Sequence, residues 1–450
     1  MKIDKALFHP DYKPEPYWWE AARPGADHAS DLPAATEILI VGSGYAGLSA
    51  GLELAREGRT VTIVESEAFG FGASSRNGGG LSGGVNIGKG LSGGPGQKLS
   101  AEERALQEQL LRESAASLSL VETLIERESI ACHYERKGRY LGAFTPEHFK
   151  KFQAKSDLLN RVTDAESTVI GPDEQRAEIA SDFYHGGMVI PKSGKLHPAL
   201  FHKGLLDAAH RAGATLCAHT KVTAIAGQEG DFTVKTTRGD CRAEQVIVAT
   251  NGYTGDLTPG LRKRLIPVLS HIIMTEELPE DLAASLIPQG RTISETPRVL
   301  NYYRMAPGDR RVMFGGRPRF TDVGADVTAA LLHRNMTDRF PQLKDARITH
   351  SWSGHVAFTY DFLPHLGREA GLHYAMGCNG SGVGMLTYLG YQVARRIVQG
   401  GAIDSAYANR ELPRVPMPFY SGNPWFLPLV GGYYRLRDAL DRQFTGSRSC

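Results

Sequence analysis

Apolar runs of two lengths and two periodicities alternate along the chain. "EILIVG", from residue 37, is short, apolar and rich in β-branched residues, which predicts a buried parallel strand. "AGLSAGLELAREG" follows with helical spacing and stops at Gly58, and "TVTIVES" reads as a second strand. "SAEERALQEQLLRESAASLSLVETLIERESI" places apolar residues three and four apart with charges between, which predicts a long amphipathic helix. "PALFHKGLLDAAHRAGA" predicts a helix ending at Gly213. The segment from "TLCAHTKVTAI" to "EQVIVAT" alternates like short strands joined by glycine turns. "LIPVLSHIIMTEEL", "RVLNYYRMA" and "RRVMFGGRPRF" read as strands, with "PGD" as a hairpin turn between the last two. Near the end, "HYAMGCNGSGVGMLTYLGYQVARRIV" is a strand, a glycine turn and a long helix. A shorter amphipathic helix is expected at "YYRLRDALDRQF".

The first strand runs directly into Gly42, Gly44 and Gly47. Gly42 allows a tight turn, Gly44 lets backbone approach a phosphate, and Gly47 lets the helix pack closely on the strand. Ser43, Tyr45 and Ala46 fill the same turn, whose free N–H groups face a pyrophosphate at the positive end of the helix dipole. Glu65 ends the second strand 23 positions after Gly42, at the spacing of an acid that accepts from a ribose hydroxyl, with Ser66 beside it. The motif by itself fits NAD or FAD. A plain NAD unit would continue with a helix and a third strand. This chain continues with "EAFGFGASSRNGGGLSGG", a glycine-rich loop holding Gly72, Ala73, Ser74, Arg76, Asn77, Gly78 and Gly79. Such a loop suits a long dinucleotide lying extended, which favours FAD.

These segments resemble the FAD-dependent oxidoreductases of the D-amino acid oxidase superfamily. The resemblance rests on the fingerprint with Glu65, on "GFGASSRNGG", on "GKLHPALFHKGLLDAAHRAGATLCAHTKVTAI" followed by "QVIVATNGYTGDL", and on "YDFLPHLG" followed by the last glycine turn. It spans roughly residues 30 to 400, and "GFGASSRNGG" with "YWWEAARP" is most similar to the gamma-glutamylputrescine oxidase branch. The resemblance implies noncovalent FAD, since no Cys precedes "TYDFLP" and no His interrupts "SSRNGG". It implies Val222 at the adenine side, and Thr250, Asn251 and Gly252 near the cofactor. It further implies that Gly380, Ser381, Gly382, Val383, Gly384 and Met385 open a helix aimed at the flavin pyrimidine ring. Relatives often carry a His where this chain has Val383; its absence removes an oxygen-activating charge, which counts against efficient use of the expected acceptor, O2, and leaves another electron acceptor open.

The expected fold class is α/β: a Rossmann-type FAD-binding domain interleaved with an α+β substrate domain built on an antiparallel sheet. Expected boundaries are an N-terminal extension 1–35, a discontinuous FAD-binding domain 36–100, 190–255 and 346–400, a substrate domain 101–189 and 256–345, and a C-terminal extension 401–450. On the substrate side, Tyr302 and Arg304 share one face of a strand, opposite Tyr303. They read as an aromatic wall and a cation for an acidic end of the substrate, or else as ordinary sheet residues. His355 and Trp352 are further wall candidates. His355 has the plainer reading of a satisfied histidine. No arginine lies between Trp352 and Tyr360, where glycine and D-amino acid oxidases tend to place a carboxylate clamp. The expected reaction is therefore oxidation of a primary or secondary amine, gamma-glutamylputrescine-like. Oxidation of sarcosine, glycine or a D-amino acid is the alternative, as is an amine dehydrogenase. An NAD dehydrogenase and a non-catalytic flavin-binding scaffold are weaker rivals.

Composition narrows the classes. A net charge of +2 leaves no basic field for nucleic acid. No run of 18 apolar residues suggests a membrane span, and the Pro-rich, polar N-terminus lacks a secretory core, so a cytoplasmic enzyme is expected. Five cysteines with no CxxC spacing predict neither a metal site nor a disulfide framework. Oligomeric state is not legible. The aromatic cluster "PYWWEAARP" reads as an anchor on its own domain or a subunit contact.

Overall fold

Strand Ala35–Val41 is apolar from Ile38 onward because both its faces are covered. Ile38 and Ile40 point to helix Tyr45–Arg56, where they pack with Ile63, Leu48 and Leu52. Leu39 and Val41 point the other way and pack with Val64, Val222 and Val234. Each such side chain, withdrawn from water, contributes about 1.5–3 kcal/mol. The computed structural model describes residues 4–83, 99–321, 323–408 and 410–446. Gly84 of the glycine-rich loop, the rest of 84–98 in the first cofactor segment, and Cys450 lie outside the described residues.

Five strands run parallel in the order Leu372–Met376, Gly239–Val248, Ala35–Val41, Val61–Val64, Thr215–Cys217. The first half of Gly239–Val248 also pairs antiparallel with Asp231–Thr236, which pairs with Val222–Gln228. The carboxyl ends of the parallel strands therefore share one edge. Short bonds tie that edge together: Gly42 N to Val64 O at 2.8 Å, Ala249 N to Val41 O at 2.9 Å and Glu65 N to Cys217 O at 2.9 Å. In an open α/β sheet this is the edge at which ligands bind.

A nine-stranded sheet forms a roof. Its centre is antiparallel: Ile348–Phe358, Ile266–Thr275, Val312–Gly316, Asn301–Met305 and Thr292–Glu295. Alternation sorts its side chains. Ile273, Phe314 and Tyr303 face outward onto helix Ala325–Arg339, through Ala329, Leu332 and Met336. Ile272, Met274, Met313 and Trp352 face inward with Trp18. Strand Ile348–Phe358 was expected to travel with the cofactor segment 346–400. It is hydrogen-bonded along its length to Ile266–Thr275 and belongs to the roof. The C-terminal helix, Leu427–Gly446, is longer than its amphipathic core suggests. Asp438 ties it to the roof by accepting from Arg298 N at 3.2 Å and Val299 N at 3.1 Å.

Candidate active site

The first helix begins at Tyr45 with Gly44 as its cap and no side-chain cap bond. Helix Gly382–Val398 likewise starts behind Ser381 without one. By contrast, helix Ala101–Arg127 carries a complete capping box from Ser100 and Glu103. Neither N-cap residue takes these first N–H groups, so apart from Tyr45 N, which donates to Ser74 Oγ, donors remain available for an anionic group. A Cβ on Gly47 would stand 1.9 Å from Gly42 O, and one on Gly44 would stand 3.1 Å from Ser74 Oγ. Gly42 has φ +104°, a left-handed turn natural to glycine. Glu65 accepts from Ser43 N at 3.0 Å and Ser43 Oγ at 2.9 Å. Its other oxygen accepts from Ser66 Oγ at 3.1 Å. The carboxylate is held by the turn that it accompanies in sequence.

The loop of residues 72–79 is bound to that turn. Tyr45 N donates to Ser74 Oγ at 3.0 Å. Asn77 donates to Ala73 O, Ser74 O and Tyr45 Oη, and accepts from Gly79 N at 2.8 Å. The N-terminal aromatic cluster straps this loop down. Trp18 Nε1 donates to Asn77 O and Trp19 Nε1 to Ser75 Oγ, both at 2.9 Å, and Trp352 Nε1 donates to Arg76 O at 2.7 Å. Arg76 lies between the Trp19 and Phe71 rings, 4.7 and 4.9 Å from their centroids. Sequence reading noted the aromatic density but not its partner, because the contact joins residues 59 positions apart.

The other cofactor candidates meet at the same edge. Asn251, at φ +42°, accepts from Gly377 N at 2.9 Å and donates to Cys378 Sγ at 3.5 Å. Thr250 Oγ1 bonds Thr254 Oγ1 at 2.8 Å, and a Cβ on Gly252 would meet His355 Cβ at 3.1 Å. Val222 is buried where its strand starts, and Val383 is buried in the first turn of its helix. Gly384 abuts Ser117 and Leu81, and Met385 Sδ accepts from Ser114 Oγ at 3.8 Å.

The roof lowers three substrate candidates toward this edge. Tyr302 donates or accepts with Ser270 Oγ at 2.9 Å, and its ring fills the space that a side chain on Gly78 would need. Burial raises its phenol above the ordinary value. His355 packs edge-on against Tyr253 at 5.2 Å, with Nδ1 buried and unpartnered among the described residues. Burial, then nearby Arg76, pulls its imidazole below the ordinary range. Arg304 is only 1% exposed and donates Nη2 to Leu196 O at 2.7 Å, with its guanidinium 5.2 Å over Trp18. Burial pushes it down to about 9. Arg317, not singled out in the sequence, joins them: it lies over Phe358 and near the last glycine turn. Its strand was legible, but its direction depends on which face of the roof looks inward.

An extended dinucleotide fits these residues: a glycine cradle, an acid at the ribose spacing, two uncapped helix starts and a strapped loop on one sheet edge. Comparisons with known proteins agree. Residues 37–396 match the family described as FAD dependent oxidoreductase. Gamma-glutamylputrescine oxidoreductase of Escherichia coli (strain K12) is 31% identical, covering 90% of this chain and 93% of its own. The crystal structure of glycine oxidase from Geobacillus kaustophilus superposes with a TM-score of 0.67 at 24% identity, covering 83% of this chain and 97% of its own. That of L-proline dehydrogenase from P. horikoshii gives 0.69 at 20% identity, covering 88% and 98%. These two share the fold. The chain belongs to the FAD-dependent oxidoreductase family.

Proposed function

We propose that the protein oxidises the C–N bond of a primary or secondary amine of the gamma-glutamylputrescine kind to an imine, which water then hydrolyses, with O2 as acceptor. One observation supports this above the rest. Arg76, Arg304 and Arg317 surround the inner face without an ion-paired carboxylate among the described residues, and His355 is held below its ordinary pKa. A positive potential disfavours the ammonium form, so a bound amine loses its proton and presents its lone pair. The relative named gamma-glutamylputrescine oxidoreductase supplies the substrate class.

When bound, FAD supplies a two-electron acceptor for the hydride leaving the carbon beside nitrogen. The chain's own part is positioning. Tyr302 and Trp352 form walls, Asn77 and Gly79 set the loop, and Tyr302 offers its hydroxyl to a substrate heteroatom. His355, neutral, accepts a hydrogen bond from the amine N–H and so orients the lone pair, while the amine's proton leaves to solvent. Val383 leaves the last glycine turn without an ionisable side chain, and this favours a second reading, an amine dehydrogenase using another acceptor.

Anaerobic titration of the flavoprotein with gamma-glutamylputrescine, putrescine, sarcosine, glycine and D-alanine tests the proposal. Bleaching of the flavin band by the acylated polyamine, restored by air, is expected. Bleaching by glycine or D-alanine alone would overturn the substrate class. Bleaching that air does not restore would select the dehydrogenase.

A further inference from the structure

Arg317 directly follows strand Val312–Gly316 at the inner side of the roof. Its guanidinium carbon lies 4.9 Å from the centre of the Phe358 ring. Its Nη2 comes within 3.9 Å of where a Cβ on Gly380 would stand, at the last glycine turn. Tyr302 and Cys378 are its ionisable neighbours, and neither is an acid that would pair with it. Nε is buried and has no hydrogen-bond partner among the described residues.

The other buried arginines of the roof are served differently. Arg339, on the outer face, holds Glu295 through Nε at 2.6 Å and Nη2 at 3.1 Å. Arg304 donates only Nη2, to Leu196 O, and leaves Nε and Nη1 without a partner among the described residues, but at 1% exposure over the Trp18 ring it is enclosed. Arg317 has neither a carboxylate nor a carbonyl among the described residues, yet it is only partly enclosed. A desolvated guanidinium without a counter-charge is costly, and a ligand that brings an anion removes the cost. The planar fork of arginine matches a carboxylate with two parallel hydrogen bonds, which a lysine does not reproduce.

We propose that Arg317 receives a carboxylate of the amine substrate, so that the enzyme selects amines carrying an acidic group. This rests on the amine reading above and goes beyond it. It gives the acidic end a receptor just past the strand ending at Gly316, outside the arginine-free stretch 352–360. The carboxylate sits either on the carbon beside the amine or at the far end of the chain. Both share one chemistry at Arg317, and the substrates separate them.

The test compares gamma-glutamylputrescine with its α-carboxamide, and sarcosine with its amide, in the flavin-loaded wild type and in Arg317→Met and Arg317→Lys. The wild type is expected to favour the acid over the amide by about 30-fold in kcat/KM for one of the two pairs. That pair identifies the position of the carboxylate. In Arg317→Met the ratio is expected to collapse to within about threefold, with Arg317→Lys intermediate, since a point charge recovers attraction without the fork. Equal use of acid and amide by the wild type overturns the proposal. So does a ratio that survives in Arg317→Met. A purely structural role for Arg317 would lower activity on both members of a pair alike and leave the ratio in place.

Calorimetric titration of the wild-type flavoprotein with glutarate reads the same site without turnover. Saturable binding, weakened about tenfold or more in Arg317→Met or Arg317→Lys, supports the inference, and no binding to the wild type overturns it. If no amine bleaches the flavin, the amine reading fails, and glutarate still judges Arg317 by itself.

Discussion

Gly47 shows how little room the cofactor edge leaves at the scale of a single residue. With only 1.9 Å between its absent Cβ and Gly42 O, Gly47→Ala must push the first helix off its strand. We expect that variant to purify with a much lower flavin-to-protein absorbance ratio; a full complement of flavin would contradict the close-packing argument. Glu65→Gln keeps the shape but loses the charge that accepts from Ser43. A drop in FAD affinity of about tenfold is expected by equilibrium dialysis, the value of a charge-assisted hydrogen bond. The glycine spacing and Glu65 were legible because their constraints are local: a turn, a helix start and a strand end within thirty residues. Trp18 was visible as an aromatic residue with no assignable partner. Its bond to Asn77 O exists only once residues 18 and 77 are folded together. Arg317 was invisible for a similar reason, since strand periodicity says which residues share a face but not which face meets the cofactor.

At the scale of elements, helix Gly382–Val398 crosses helix Tyr45–Arg56 at Gly390, where a Cβ would stand 2.1 Å from Ala46 O. Both helices aim their uncapped N-termini at the same edge, so this crossing sets the distance between the two anion-facing ends. Gly390→Ala is expected to separate the helices and to cost about 1–3 kcal/mol by overpacking, with a loss of FAD affinity that an alanine elsewhere on the exposed face of the helix would not cause. Thermal unfolding with and without added FAD measures both effects. If stability and affinity stay at wild-type values, the crossing is not the constraint. Element types were readable because the apolar periods are clean. The extent of the C-terminal helix was not, since its added first turns are secured by Leu427 and Val430 packing with Val268 and Phe320 rather than by local propensity.

For the whole molecule, acid sensitivity follows from histidines and one carboxylate locked inside. Burial pulls His197 and His373 down to about 4, and in His197 Nδ1 is committed to accepting from Leu200 N. Because the folded pKa is depressed, each contributes stability that is whole above pH about 6.5 and is lost as pH falls toward about 4, on the order of 3 kcal/mol each. Glu295 adds to the same limb: burial opposes its charge, but Arg339 outweighs that and keeps its carboxyl below the ordinary range. Its stabilisation is therefore lost as pH falls below the ordinary carboxylate value. Urea unfolding at a series of pH values should show stability falling steeply from about pH 6.5 to about pH 4; a flat profile there would contradict the burial of these groups. Glu295→Gln, which strands Arg339, should cost about 3–5 kcal/mol at neutral pH, read from the same urea curves. Among the described residues no helix is long and apolar enough to cross a membrane. The sequence by itself determined the parallel sheet, the glycine turn, the acid that ends the second strand and the family, because each is written in residues close together or in repeated periods. Tertiary structure alone decided that strand Ile348–Phe358 joins the roof, that the N-terminal tryptophans clamp the loop, that Arg304 is enclosed and that Arg317 faces the glycine turn. Those outcomes depend on contacts between segments far apart in the chain, and no local period encodes which of two faces will be inside.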